Sequence, residues 1–312
     1  MTENIEISFI GLGAMGYPIC TNLIEDGYKL HIYNRTRSIC EKFVDELSND
    51  KRNKVTISNS PSEVLKSNSI ASGRIIISIV SNDLALESIC FDENGILTEL
   101  NDNDVHLCLS TVSPPCVDKL EEVHRNKNAI FISCPIFGRP PVAAARKLIV
   151  VAGGQRIGFE KVEPILKTLS QKVVYAGTKA SQANVLKLSG NFCILSMIEM
   201  FAEAFTLAES HGISRDVAYD LLSGPEGVFT KIPIMQTYSS IVKDHSYDNV
   251  GFSAINGLKD ARLIKAAAEG RVNDTPFINV VNDRLEKVVK ESEDGGYNID
   301  WSAFGAHVKV LK

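Results

Sequence analysis

A glycine turn set between a strand and a helix constrains this chain more than any other feature. Ile5 and the stretch Glu6–Arg37 read as strand, glycine-rich turn, helix and second strand in about 32 residues, the size of one βαβ half-unit. Ile7, Phe9 and Ile10 supply strand-forming side chains, and Gly11, Leu12, Gly13, Ala14, Met15 and Gly16 fall where strand should become helix. In this G-x-G-x-x-G context Gly11 permits the tight turn, Gly13 lets a pyrophosphate approach the backbone, and Gly16 lets the helix pack close to the strand. The helix N-terminus adds unpaired N–H groups and a positive dipole end. Met15, Ile19, Leu23 and Ile24 recur at helical spacing, Gly27 stops the helix, and Tyr28–Tyr33 begins a second strand.

The residues after that strand bear on which dinucleotide is bound. An NAD site usually places Asp or Glu about 20 residues beyond the turn for the ribose 2′-OH, whereas an arginine accommodates a 2′-phosphate. Here Asn34, Arg35, Thr36 and Arg37 occupy the region, with no acid to repel a phosphate and Arg35 as a bidentate partner. NADP is therefore expected over NAD, with a solvated helix-start charge as the other reading of Arg35 and Arg37.

A chain of 312 residues predicts two domains. Strand signals continue at Val55–Ile57, Arg74–Val80, Val105–Leu109, Ala129–Ile132, Leu148–Gly154 and Lys172–Ala176. Helices are expected at Ser38–Leu47, from Pro61, at Leu84–Cys90, after Pro114 and at Phe159–Leu169, with Ser133–Pro141 a stiff proline-rich loop. Beyond Gly177 the pattern becomes helical: one helix over Ser181–Ser210, then Ser214–Leu222, Ile232–Val242, Phe252–Glu269 and Pro276–Glu291. The expected fold is α/β, an N-terminal Rossmann-type doubly wound sheet followed by an all-α domain. Residues 1–178 form the NADP-binding part and residues 179–312 the helical substrate and dimerisation part.

Net charge is −5, which provides no basic field for nucleic acid or an anionic membrane. No continuous apolar run approaches 18 residues, so no membrane span is expected. Seven cysteines without a C-x-x-C pair read as reduced thiols. With the first strand so near the start there is no room for a leader, and the cytoplasm is the expected location. His106, His124, His211, His245 and His307 have no metal spacing and read as structural or surface residues, so no metal is expected.

Ligands of an open parallel sheet lie beyond the carboxyl ends of its strands. Ser81 and Asn82 follow one strand and are placed to approach the cofactor, to cap the next helix, or both. Ser110 and Thr111 follow another, with hydroxyls suited to a substrate carboxylate or to a cap before Pro114. On the long helix Lys187 and Asn191 share a face at i, i+4, among Leu186, Leu188, Ile194, Met197, Ile198 and Phe201. A lysine desolvated there has its pKa lowered toward the range useful for proton transfer; a surface lysine beside an asparagine is the other reading.

GLGAMG, Asn34-Arg35-Thr36, Ser110-Thr111-x-x-Pro114, Gly138, Gly153-Gly154, Lys187-x-x-x-Asn191 and Gly257-Leu258-Lys259-Asp260 stand in the order seen in β-hydroxyacid dehydrogenases. Over nearly its whole length the chain resembles that superfamily of 3-hydroxyisobutyrate dehydrogenases, glyoxylate and succinic semialdehyde reductases, imine reductases and, more distantly, 6-phosphogluconate dehydrogenase. The resemblance implies a dimer in which Lys187 donates or accepts the proton and Asn191 hydrogen-bonds a small carbonyl or hydroxy substrate. It implies that Ser110 and Thr111 touch substrate and nicotinamide with help from the loop at Gly138, and that Lys259 lies on the cofactor side. An ordinary helix charge paired near Asp260 is the other reading of Lys259.

Departures from the pattern narrow the reaction. The stretch after Lys187 lacks the histidine and glutamate of phosphogluconate dehydrogenases, so decarboxylation is not expected. Imine reductases commonly carry Asp or Tyr at the lysine position, so Lys187 favours carbonyl chemistry over an imine reductase. Phe137 replaces a small hydroxyl residue and Arg139 a glycine, which makes a bulkier or more apolar substrate plausible and keeps a non-catalytic NADP-binding scaffold as an alternative.

Overall fold

The computed structural model describes residues 5–70, 73–229, 231–272 and 275–308. The chain forms two compact units, Met1–Lys187 and Leu188–Lys312. The first begins with β1 (Glu6–Ile10), α1 (Gly16–Glu25), β2 (Lys29–Tyr33), α2 (Arg37–Asp45), α3 (Asn49–Arg52), β3 (Val55–Ile57), α4 (Glu63–Lys66) and β4 (Ile75–Ser78). It continues with α5 (Asp83–Phe91), β5 (Val105–Cys108), α6 (Pro114–Arg125), β6 (Ile130–Ser133), β7 (Ile136–Phe137), α7 (Pro140–Ala144), β8 (Leu148–Gly153), α8 (Arg156–Leu169) and β9 (Ser170–Gly177).

The strands make one sheet in the order β3-β2-β1-β4-β5-β6-β8-β7, with β9 also on β8. From β3 to β6 all pairs are parallel, β8 runs antiparallel to β6 and β7, and β9 is parallel to β8. Strand order reverses at β1 and β4, the switch point at which a doubly wound sheet opens a crevice. Continuous apolar runs suit strands covered on both faces. Ile7, Phe9 and Ile77 enter one core, while Ile10 and Ile76 enter a second. Ser8 is buried in β1, and its hydroxyl donates to the Val64 carbonyl at 2.9 Å.

Two local expectations are corrected. Pro61 does not open a helix: α4 starts at Glu63, whose amide donates to the Ser60 hydroxyl at 3.2 Å, so the proline lies in the preceding turn. The segment Ser133–Pro141 is not merely a stiff loop. Ile136 and Phe137 pair with Val150 and Ile149 on β8, and Pro140 and Pro141 open α7, where an intrahelical N–H is not yet required.

The helix α9 (Ser181–Ser210) has the bounds its periodicity predicts. The division between the compact units falls inside it, at Lys187 and Leu188, later than the expected change at residue 178. In the second unit follow α10 (Arg215–Ser223), α11 (Pro233–Asp244), α12 (Ala254–Ala268), α13 (Pro276–Gly295) and a 3-10 segment, Trp301–His307. Leu195, Ile198, Phe201 and Phe205 of α9 share a core with Leu258, Leu285 and Trp301. An 18-residue stretch of α9 reaches a mean hydropathy of 1.4, enough by length and composition to cross a membrane, and half of that stretch is buried within the chain. Scattered charges break its apolar run, and part of its apolarity serves the core.

Candidate active site

The turn after β1 has a shape that only its glycines permit. Gly11 sits at φ +102°, and a Cβ there would lie 2.1 Å from the Ile79 carbonyl oxygen. A Cβ on Gly16 would lie 1.9 Å from the carbonyl oxygen of Gly11, so helix and turn meet backbone to backbone. At Gly13 nothing stands within 4 Å of the same position, and Gly13 and Ala14 are exposed. No side chain caps α1 at Met15. An open, uncapped N-terminus fits a pyrophosphate.

Asn34 is tied into this turn. Its Oδ1 accepts from the Leu12 amide at 3.0 Å, its Nδ2 donates to the Thr36 carbonyl at 3.0 Å, and the Gly11 amide donates to the Tyr33 carbonyl at 2.9 Å. Gly11 and Leu12 therefore supply shape, while the amides from Gly13 onward lie at the helix end. Arg35 and Thr36 are exposed beyond β2. Arg37 instead donates from Nε to Glu41 at 2.9 Å and also contacts Asn59.

At the end of β4, Asn82 caps α5 by accepting from the Ala85 amide at 2.9 Å, and Ser81 is exposed beside it. After β5, Ser110 is buried and its hydroxyl accepts from the Val80 amide at 2.8 Å, which links the ends of β4 and β5. The cap before Pro114 is made by Ser113, whose hydroxyl accepts from the Cys116 amide and donates to Asp83. Thr111, two residues before this cap, is half-buried.

Asn184 was not singled out by sequence, although it stands one helical turn before Lys187. Fully buried, it accepts from the Val112 amide at 3.1 Å and donates to the Ser133 hydroxyl at 2.6 Å, which anchors the start of α9 to the loop after β5 and the end of β6. Lys187 is only 7% exposed. Its ammonium lies 3.6 Å from the centroid of the Phe137 ring, a cation–π contact. Gly138, next to that ring, is exposed at φ +141°.

In the second unit Asn191 is buried, and its Nδ2 donates to Asp260 Oδ2 at 2.6 Å. Asp260 also faces Lys259 Nζ at 3.0 Å through Oδ1, the ion pair named as the plain alternative for Lys259. Asp260 is an acid only 1% exposed, and sequence does not display that burial. Among the described residues no group of three or more His, Cys, Asp or Glu is placed to hold a metal.

The strand order, the glycine cradle and the polar residues at the ends of β4 and β5 define a nicotinamide-dinucleotide-binding oxidoreductase. A family model described as the NAD binding domain of 6-phosphogluconate dehydrogenase matches residues 6–177. The uncharacterized oxidoreductase YfjR of Bacillus subtilis (strain 168) is 30% identical over 99% of this chain and 100% of its own length. Glyoxylate/succinic semialdehyde reductase 1 of Arabidopsis thaliana is 28% identical over 91% and 92%. The fold is shared with 3-hydroxyisobutyrate dehydrogenase of Mycobacterium tuberculosis, at a TM-score of 0.79 and 21% identity over 97% of this chain and 99% of that one. The chain belongs to the β-hydroxyacid dehydrogenase superfamily. It is an NAD(P)-dependent oxidoreductase acting on CH–OH groups, a dehydrogenase or reductase of hydroxy acids or aldehydes.

Proposed function

We propose that the protein is a cytoplasmic, homodimeric, NADPH-dependent reductase, reversible as a dehydrogenase, of aldehydes, keto acids or β-hydroxy acids, with Lys187 as general acid and base. The burial of Lys187, one turn from the anchored Asn184, is the observation that carries the reading. When bound, the reduced nicotinamide supplies a hydride to a carbonyl carbon. Negative charge then develops on the carbonyl oxygen, where the Lys187 ammonium stabilises it and delivers a proton; in the reverse direction the neutral amine removes that proton. Asn191, held by Asp260, orients the same substrate by hydrogen bonding. Ser110 and Thr111, with the backbone at Gly138, line its approach, and Thr111 also touches the nicotinamide.

On the cofactor side, Gly13 to Gly16 receive the pyrophosphate, Ser81 and Asn82 border it, Lys259 adds a cation, and Arg35 holds the 2′-phosphate. With a substrate from this class in hand, Lys187→Ala should lower kcat by ~10²-fold or more, the span of a lost general acid. Turnover within a few-fold of wild type would overturn the role. Fluorescence titration should show tighter binding of NADPH than NADH and a loss of that preference in Arg35→Ala; equal affinities in the wild type would refute the choice of cofactor.

A further inference from the structure

The residues that join β5 to α6 are held from three sides. The Ser110 hydroxyl accepts from the Val80 amide just beyond β4 at 2.8 Å, the Val112 amide donates to Asn184 Oδ1 on α9 at 3.1 Å, and the Ser113 amide donates to Asp83 Oδ1 at the start of α5 at 2.9 Å. Thr111 lies between the first two of these anchors.

Among the three, Asn184 reaches furthest. Its carboxamide is wholly buried between Val112 and Ser133, which are buried as completely, and both of its ends are used. A backbone N–H only donates, so the atom facing Val112 is the amide oxygen, and the amide nitrogen then donates to the Ser133 hydroxyl at 2.6 Å. Turning the side chain over would set two donors against each other at a buried position. The same bond fixes the planar Thr111–Val112 peptide. Lys187 stands three residues further along α9, a rise of ~4.5 Å.

One carboxamide therefore ties the loop of Ser110 and Thr111 to the turn of helix that carries Lys187. Transfer of a hydride and a proton to one carbonyl group requires both sides of the site in register, and a displacement of ~1 Å can cost ~10²-fold in rate. We infer that Asn184 is a positioning residue of this enzyme: it sets the loop at Ser110 and Thr111 against the helix turn of Lys187, with Asp83 holding the far end of the loop. The inference rests on the roles proposed for Thr111 and Lys187, through which the buried Asn184 acts.

Reduction of glyoxylate and of butanal by NADPH in the wild type selects the faster reaction for the test. Asn184→Leu keeps the buried volume and leaves the Val112 amide unpaired. It should lower kcat by about tenfold to ~10²-fold, with KM and the NADPH affinity from fluorescence titration within about threefold of wild type. Ser133→Ala removes the other hydrogen bond of the same carboxamide and spares the loop. It should lose about as much stability to urea and keep kcat. A residue that only supports the fold would give the two variants the same kinetics. Independently of turnover, hydrogen exchange should show the Val112 amide protected in the wild type and in Ser133→Ala, and unprotected in Asn184→Leu. Asp83→Ala frees the same loop from its half-buried side and should also lower kcat at unchanged NADPH affinity, which keeps the test in force if Asn184→Leu does not fold.

An unchanged kcat in Asn184→Leu, or in Asp83→Ala where Asn184→Leu does not fold, overturns the inference. So does a loss carried by KM alone, an equal loss in Ser133→Ala, or rapid exchange of the Val112 amide in the wild type. Lys187→Ala separates the two levels. If it abolishes turnover while Asn184→Leu keeps kcat, only the inference fails; if it stays active, or if the wild type reduces neither aldehyde, the reading beneath it fails as well.

Discussion

Asp260 shows how one buried carboxylate sets the state of two neighbours. With Oδ2 against the Asn191 amide and Oδ1 against the Lys259 ammonium, it determines which way the asparagine points and offsets the lysine's charge. Asp260→Ala should leave the buried Asn191 amide without this acceptor, at a cost of ~1–3 kcal/mol in stability. Urea unfolding measures that loss, and kcat/KM should fall in the same variant because Asn191 is no longer oriented; unchanged stability and kinetics would show the contact to be idle. Helical periodicity puts Lys187 and Asn191 at i and i+4 on one face, and the family resemblance, not the spacing, proposes their role. Asn184 and Asp260 give no such signal, because their contacts join residues 51 to 72 positions apart or depend on burial.

Among elements, β4, β5 and α6 are joined by a buried polar chain. Ser78 Oγ lies 2.7 Å from His106 Nε2, His106 Nδ1 lies 3.1 Å from His124 Nε2, and His124 Nδ1 lies 2.8 Å from the Leu120 carbonyl. A carbonyl only accepts, so His124 carries its proton on Nδ1, accepts from His106 through Nε2, and His106 in turn accepts from Ser78. Burial holds His124 down to about 4 and His106 well below the ordinary imidazole range, with the neighbouring imidazole adding to the latter. The folded state thus keeps both rings neutral, while the unfolded chain protonates them near pH 6.5.

Stability from this pair is present above pH 6.5 and declines as pH falls from there toward about 4, by at most ~1.4 kcal/mol per pH unit for each proton. Thermal melts of the wild type across pH 7 to 4.5 should show this slope, and it should be shallower in His124→Gln; equal slopes would remove the pair from the acid response. The long elements were readable from sequence: α9 has the expected ends, and the strands from β1 to β6 lie where apolar runs placed them. The short β7 and α7 were not, since two residues carry no periodicity and their pairing partner, β8, comes later in the chain.

At the scale of the molecule, exposed apolar surface is unevenly shared. Among the described residues, thirteen of eighteen large exposed hydrophobics belong to the unit Leu188–Lys312. Val217 and Leu221 are 61% and 65% exposed and stand i, i+4 on one face of α10, with Val228 close behind in sequence. Leu207 of α9 and Phe277 of α13 add to the set. Apolar surface concentrated in one part of a chain marks an association surface, which supports the two-fold homodimer proposed above. Light scattering coupled to size exclusion should therefore give a mass of twice 34.2 kDa at micromolar concentration. The pair Val217→Asp and Leu221→Asp, placing two charges on a face where an obligate interface would be largely apolar, should return the mass to 34.2 kDa with the circular dichroism spectrum retained. A monomeric wild type would refute the dimer. A dimer that survives both substitutions would place its interface away from α10.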